Sequence, residues 1–63
     1  MKECFIVENQ EGERIDRYLS DTFEDRSRSY IQKLIKDDLV IVNQKPVKAS
    51  YRLLLGDQVE ITL

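Results

Sequence analysis

The apolar residues of this chain change their spacing once, between Lys36 and Val40. Before that point they recur every third or fourth position: Ile15, Leu19 and Phe23 with Tyr18 beside them, then Tyr30, Ile31, Leu34 and Ile35. After it they recur every second position: Val40 and Val42, then Val59, Ile61 and Leu63 alternating with Gln58, Glu60 and Thr62. A period near 3.6 marks one face of an α-helix, and a period of two marks one face of a strand. The switch predicts helices first and strands after. A further strand is expected over Cys4–Glu8, where Cys4-Phe5-Ile6-Val7 is apolar and partly β-branched. With 63 residues there is room for one domain, residues 1–63. The expected fold class is α+β, two packed helices on a small, mainly antiparallel sheet.

The punctuation supports that order. Asn9–Gly12 reads as a turn, and the first helix is expected from about Glu13 to Phe23, with Glu11, Glu13 and Asp16 near its N-terminus, where the helix dipole favours anions. The second helix is expected from Arg28 to Lys36 or Asp37. Its cap is either Ser27, by a hydroxyl accepting a free backbone N–H, or a Ser29–Gln32 capping box. Asn43-Gln44-Lys45-Pro46 is a turn candidate and Gly56-Asp57 a tight turn. Cys4, inside an apolar run, is read as a small core residue. The residues before it are read as a frayed start.

Size and composition exclude several functions. A domain this short buries only about 60% of its unfolded surface, which leaves no room for a deep enclosed pocket. Hydrophobic content of 41% and charged content of 35% are those of a folded chain, not a disordered one. The longest wholly apolar runs are four residues, far short of the about 20 a membrane helix needs. MKECFIV is too short and, at Glu3, too acidic for a signal peptide. The expectation is a cytoplasmic protein with no membrane partner. One cysteine allows no internal disulfide, and one cysteine without any histidine makes a zinc site improbable. No cofactor is called for. Without a histidine, a Gly-rich phosphate loop or a nucleophile beside a base, catalysis by this chain alone is not expected.

Charge is where the sequence points to a partner. The net charge is −2, but residues 1–25 hold eight acids and three bases (−5), and residues 26–63 hold seven bases and four acids (+3). Attraction to a polyanion follows the local field, screened over about 8–10 Å, not the total. From Arg26 to Lys36 there are four bases and no acid. At 100° per residue Tyr30, Ile31, Leu34 and Ile35 take one half of the second helix, which should pack inward. Arg28, Ser29, Gln32, Lys33 and Lys36 take the other. A merely solvated face usually mixes signs and gains from Glu–Lys pairs. Cations at a helix start oppose the dipole slightly, so their presence suggests a use, and Arg forks with free N–H groups there bind phosphate. Asn43, Lys45, Lys48 and Arg52 follow in turns, with no acid between Val40 and Leu55. If that hairpin lies beside the second helix, seven cations line one groove. Tyr51 either stacks on a base or covers the core edge, the second being preferred, and Gln44 reads as a solvated turn residue.

These residues resemble a known family. Ser27-Arg28-Ser29, then Gln32-Lys33-Leu34-Ile35-Lys36, then Val40-Ile41-Val42-Asn43 with Lys45 and Val47, and finally Leu53 to Ile61, resemble the S-four RNA-binding domain, named after small-ribosomal-subunit protein four, with its helix-plus-hairpin αL motif. Gly12-Glu13-Arg14-Ile15-Asp16-Arg17 and Ser50-Tyr51-Arg52-Leu53 look most like the N-terminal domain of large-subunit ribosomal RNA pseudouridine synthases. The resemblance implies RNA binding, with ribosomal RNA as the partner and a tethered catalytic domain that this chain lacks. Carried over by position, it implies contacts by Arg26, Arg28, Ser29, Gln32, Lys33, Lys36, Asn43, Lys45 and Lys48, with Arg52 a further candidate, and a structural role for Arg14 and Asp16 in an ion pair tying the helices. Arg14-Ile15-Asp16 superficially matches part of the synthase active-site motif but lacks its histidine and is read as coincidence.

Three departures from the family pattern stand out. Asp37-Asp38 replaces a frequent glycine after the second helix, where φ is positive. Asn43-Gln44 replaces an Asn-Gly turn, which predicts a different turn type. Leu55 replaces a proline. Two other classes share parts of the pattern: a ubiquitin-like sulfur carrier, which requires a terminal Gly-Gly, and a protein-docking domain with incidental basic charge.

Overall fold

The computed structural model describes residues 1–63. The chain runs β1 (Lys2–Ile6), α1 (Ile15–Thr22), α2 (Arg28–Lys36), β2 (Val40–Val42), β3 (Lys45–Pro46) and β4 (Gln58–Thr62). The four strands form one antiparallel sheet in the order β1-β4-β2-β3. Fold class and element order agree with the periodicity, and no helix is long and apolar enough to cross a membrane.

Eleven buried apolar residues make the core: Ile15 and Leu19 from α1, Ile31, Leu34 and Ile35 from α2, Val40, Val42, Val59 and Ile61 from the sheet, and Val7 and Leu53 from loops. The helices cover one face of the sheet. Phe5 reaches Tyr18 across that layer, with ring centroids 5.5 Å apart and planes tilted by 59°. The opposite face is open, and the strand register corrects the reading of Cys4. Cys4 pairs with Glu60 on the open face, is exposed, and donates its thiol to Glu60 Oε1 at 3.7 Å. An apolar run of four does not reveal which alternate residues point inward; here they are Phe5 and Val7. The start is not frayed either. β1 begins at Lys2, and Met1 and Leu63 exchange hydrogen bonds, the N-terminal ammonium donating to Leu63 O at 3.2 Å and Leu63 N–H to Met1 O at 2.7 Å.

Helix α1 starts two residues later than its periodicity suggests. Gly12 has φ +89, and the strand-like segment behind it pairs through Arg14 and Arg52. Two of the N–H groups that a helix start leaves free then donate to a loop instead of a side-chain cap: Ile15 N–H to Tyr51 O at 2.8 Å and Asp16 N–H to Ala49 O at 3.4 Å. Of the two registers for α2, the structure selects Ser27 as cap, its hydroxyl accepting the Tyr30 N–H at 3.1 Å.

The end of α2 is a Schellman motif. Leu39 N–H reaches back to Leu34 O and Asp38 N–H to Ile35 O, with Asp38 at φ +61. Asp38 thus occupies the positive-φ site that the resemblance assigns to glycine. The hairpin tip differs from expectation. Asn43 (φ +51) and Gln44 (φ +70) are both left-handed between the paired residues Val42 and Lys45, which is the type I′ turn that Asn-Gly would give. Side chains hold it there: Gln44 Nε2 donates to Glu60 Oε2 at 2.8 Å, and Asn43 Nδ2 donates to Asp57 Oδ1 at 2.9 Å. Pro46 sits in β3, an edge strand, where its missing N–H does no harm.

Candidate nucleic-acid interface

The centre of the site is a buried carboxylate. Asp16, in the first turn of α1, has no exposed surface and accepts hydrogen bonds from four residues. Arg14 donates from Nε and Nη2 at 3.1 Å, and Arg17 from its backbone N–H at 2.8 Å. Arg28 donates from Nε and Nη2 at 3.3 Å, and Gln32 from Nε2 at 2.9 Å. Burial pushes the Asp16 carboxyl up, but donation from Gln32, Arg14 and the Arg17 N–H, with the charge of Arg28, outweighs it and holds it below the usual range. The expected tie between the helices is therefore present, and its partners on α2 are Arg28 and Gln32. Two guanidiniums share one carboxylate, so one positive charge is left over. The Arg28 side chain remains 49% exposed.

One turn beyond Gln32 on the same helix face stands Lys36, and there α2 meets the segment after β3. Gln32, Ile35, Lys36, Asp38, Val47, Lys48 and Ala49 line a hollow of about 480 Å³. Lys36 and Lys48 come from segments 12 residues apart and border the same space, and neither is in an ion pair. Lys33 and Lys45 are likewise exposed and without an ion-pair partner, and Ser29 is exposed on the first turn of α2. Asp38 is the one acid on the hollow's lining.

Arg26, Asn43 and Arg52 do not line the hollow. The Arg26 guanidinium lies over the Tyr30 ring, 5.5 Å from its centroid. Tyr30 is 37% exposed, so it does not join the core with Ile31 and Leu34 as its helical position suggests. Arg52 Nη1 donates to Gly12 O at 2.7 Å, on the side of the α1 start, and lines no part of the hollow. Of the seven cations, Lys36 and Lys48 line the hollow. Asn43 has both ends of its amide engaged, Nδ2 with Asp57 and Oδ1 with the Gln58 N–H, which makes it the fastener of the hairpin. Gln44, bonded to Glu60, is not a freely solvated turn residue.

Sequence reasoning singled out neither Asp57 nor Glu60. Asp57 is buried and accepts from Tyr51 Oη, the Leu54 N–H and Asn43. Burial raises its carboxyl and these donors lower it, with a net depression. Glu60 is held below its usual range first by Lys2, which donates at 2.9 Å. Position in the chain gives no sign that Asp57 is buried or that Glu60, on the open face, is covered by Lys2, Cys4 and Gln44.

A two-helix, four-stranded domain whose helix-plus-hairpin edge carries unpaired cations is the architecture of a small RNA-binding module. The family model of the S4 domain matches residues 13–59, and the chain belongs to the S4 RNA-binding domain family. It is 46% identical over 56 residues to YlyB, an uncharacterised RNA pseudouridine synthase of Bacillus subtilis, covering 89% of this chain and 18% of that protein. It is 41% identical over 56 residues to ribosomal large subunit pseudouridine synthase C of Vibrio vulnificus, and 44% over 57 residues to ribosomal large subunit pseudouridine synthase D of Escherichia coli, each with the same two coverages. The chain thus spans less than a fifth of the length of these relatives. It corresponds to their RNA-binding module, not to the synthase as a whole.

Proposed function

We propose that this domain binds structured ribosomal RNA in the cytoplasm and serves as the targeting module of an RNA pseudouridine synthase, holding the substrate while a tethered catalytic domain acts on a uridine. The observation that carries this reading is the meeting of Lys36 and Lys48 at one hollow without an ion-pair partner. Two like charges brought together repel, and an anion between them relieves that repulsion. Gln32 lines the same hollow, and Arg28, one turn before it, keeps half of its side chain exposed. Lys33 and Ser29 on α2 and Lys45 on β3 are exposed as well. Phosphates spaced along an RNA strand match cations spread over an edge, and such contacts supply most of the affinity. The names of the relatives support ribosomal RNA as the target class.

The test is a titration of ribosomal RNA fragments at two salt concentrations. The affinity should fall with salt, with a slope of roughly −0.7 per phosphate neutralised on single strands. Lys36→Glu combined with Lys48→Glu should weaken binding about a hundredfold at 0.1 M salt and lower the thermal midpoint only modestly, because both side chains are solvated and only Lys36 faces the dipole at the end of α2. Arg28 is a poorer choice for this test, since a glutamate there would face Asp16. Unchanged affinity in the double variant would remove the hollow from the interface.

A further inference from the structure

A second hollow, of about 520 Å³, adjoins the first and shares Val47 and Lys48 with it. Its other lining residues are Pro46, Ser50 and Tyr51. The two hollows differ in chemistry. The first has Lys36, Lys48 and Gln32, which suit a phosphate. The second has the flat apolar surfaces of Pro46 and Tyr51 with one hydroxyl, and Lys48 stands at the boundary. A nucleotide has the same division, an anionic backbone unit joined to a flat ring with polar edges. We propose that the second hollow is a subsite for one unpaired nucleobase of an RNA whose backbone crosses the first; this rests on the RNA-binding reading above.

The wall that would stack on the base is held in place beforehand. Tyr51 packs its inner edge on the core and donates its hydroxyl to Asp57 Oδ2, so the ring cannot swing away. Asp57 is itself fixed by the Leu54 N–H and by Asn43 of the hairpin. Donation to Asp57, burial and the nearby charge push the Tyr51 phenol up to about 12, so the ring stays neutral at any working pH. Covering the core edge and presenting a stacking surface are thus served by the two sides of one ring. Ser50 is exposed at the rim and offers a donor and an acceptor to a base edge. Bases within a duplex are stacked and closed to such a surface, so the ligand class is RNA with a bulged or looped-out nucleotide.

The experiment uses three RNA hairpins of the same length, fully paired, with a single-nucleotide bulge, and with an abasic residue at the bulge. Each is titrated against the 63-residue chain at two salt concentrations by fluorescence anisotropy. The expected result is that the bulged hairpin binds on the order of tenfold tighter than the abasic one, with the same salt slope for both. Tyr51→Phe frees the ring from Asp57 but keeps its stacking face and should retain the larger part of that ratio, whereas Tyr51→Leu, shown to be folded by circular dichroism, should bring it to one. Equal, salt-dependent affinity for the base and abasic bulges overturns the subsite and leaves RNA binding intact. A ratio that persists in Tyr51→Leu also overturns it, since the base must then sit elsewhere. Salt-independent or absent binding to all three hairpins overturns the RNA-binding reading itself, and the subsite with it.

Discussion

A carboxylate with no exposed surface needs donors on every side, and Asp16 has them from Arg14, Arg17, Arg28 and Gln32. It therefore couples the packing of the two helices to the aim of Arg28 and Gln32. Because the folded carboxyl lies below its unfolded value of about 3.9, the stability it contributes is fully present above that pH. That contribution is lost as pH falls from about 4 through the lowered folded value. Asp16→Asn should cost about 2 kcal/mol at pH 7 and give a flatter stability profile than the parent between about pH 4 and pH 2, measured by urea unfolding at each pH. An unchanged profile would assign the acid sensitivity to Asp57 and Glu60. The sequence showed that Asp16 was suited to a helix start, and the family resemblance implied a tie between helices. Neither showed that Arg28 and Gln32 were the partners. Helical spacing sorts residues into two halves, but the rotation of one helix against its neighbour decides which polar residues at the border turn inward. Tyr30 missed the core for the same reason.

At the scale of elements, the end of α2 and the tip of the hairpin both use left-handed residues without glycine. Asp38 closes the Schellman motif at φ +61 and also borders the hollow that holds Lys36 and Lys48. Asp38→Gly should raise stability by about 1 kcal/mol in chemical denaturation, by removing the left-handed penalty of a side chain. It should also tighten RNA binding about threefold at 0.1 M salt, by removing a carboxylate from the hollow. A variant that is stabilised but binds RNA no better would place Asp38 outside the path of the RNA. The positive-φ site at Asp37-Asp38 was legible only through the family resemblance, which puts a glycine there. The turn type at Asn43-Gln44 was not, because the side-chain bonds that hold Gln44 left-handed come from Glu60, 16 residues away.

At the scale of the molecule, the fold class followed from one change of apolar period, since helices and strands that occupy separate stretches of a short chain leave few ways to bury both. The groove was only partly legible. Lys36 and Lys48 meet because the connection from β2 through β3 folds back beside α2, whereas Arg52 is drawn toward Gly12 by the pairing of its segment with the start of α1. The reciprocal hydrogen bonds between Met1 and Leu63 have a consequence of their own. A linker of a few glycines could join the two ends into a closed ring without bending either strand. Circularisation would remove conformations from the denatured chain alone, by about 4 kcal/mol for a loop of this length. In a domain with so small a core, that should lift the thermal midpoint by on the order of 15 °C or more while leaving RNA affinity as it was. A ring that melted no higher than the linear chain would mean that the ends come apart in solution.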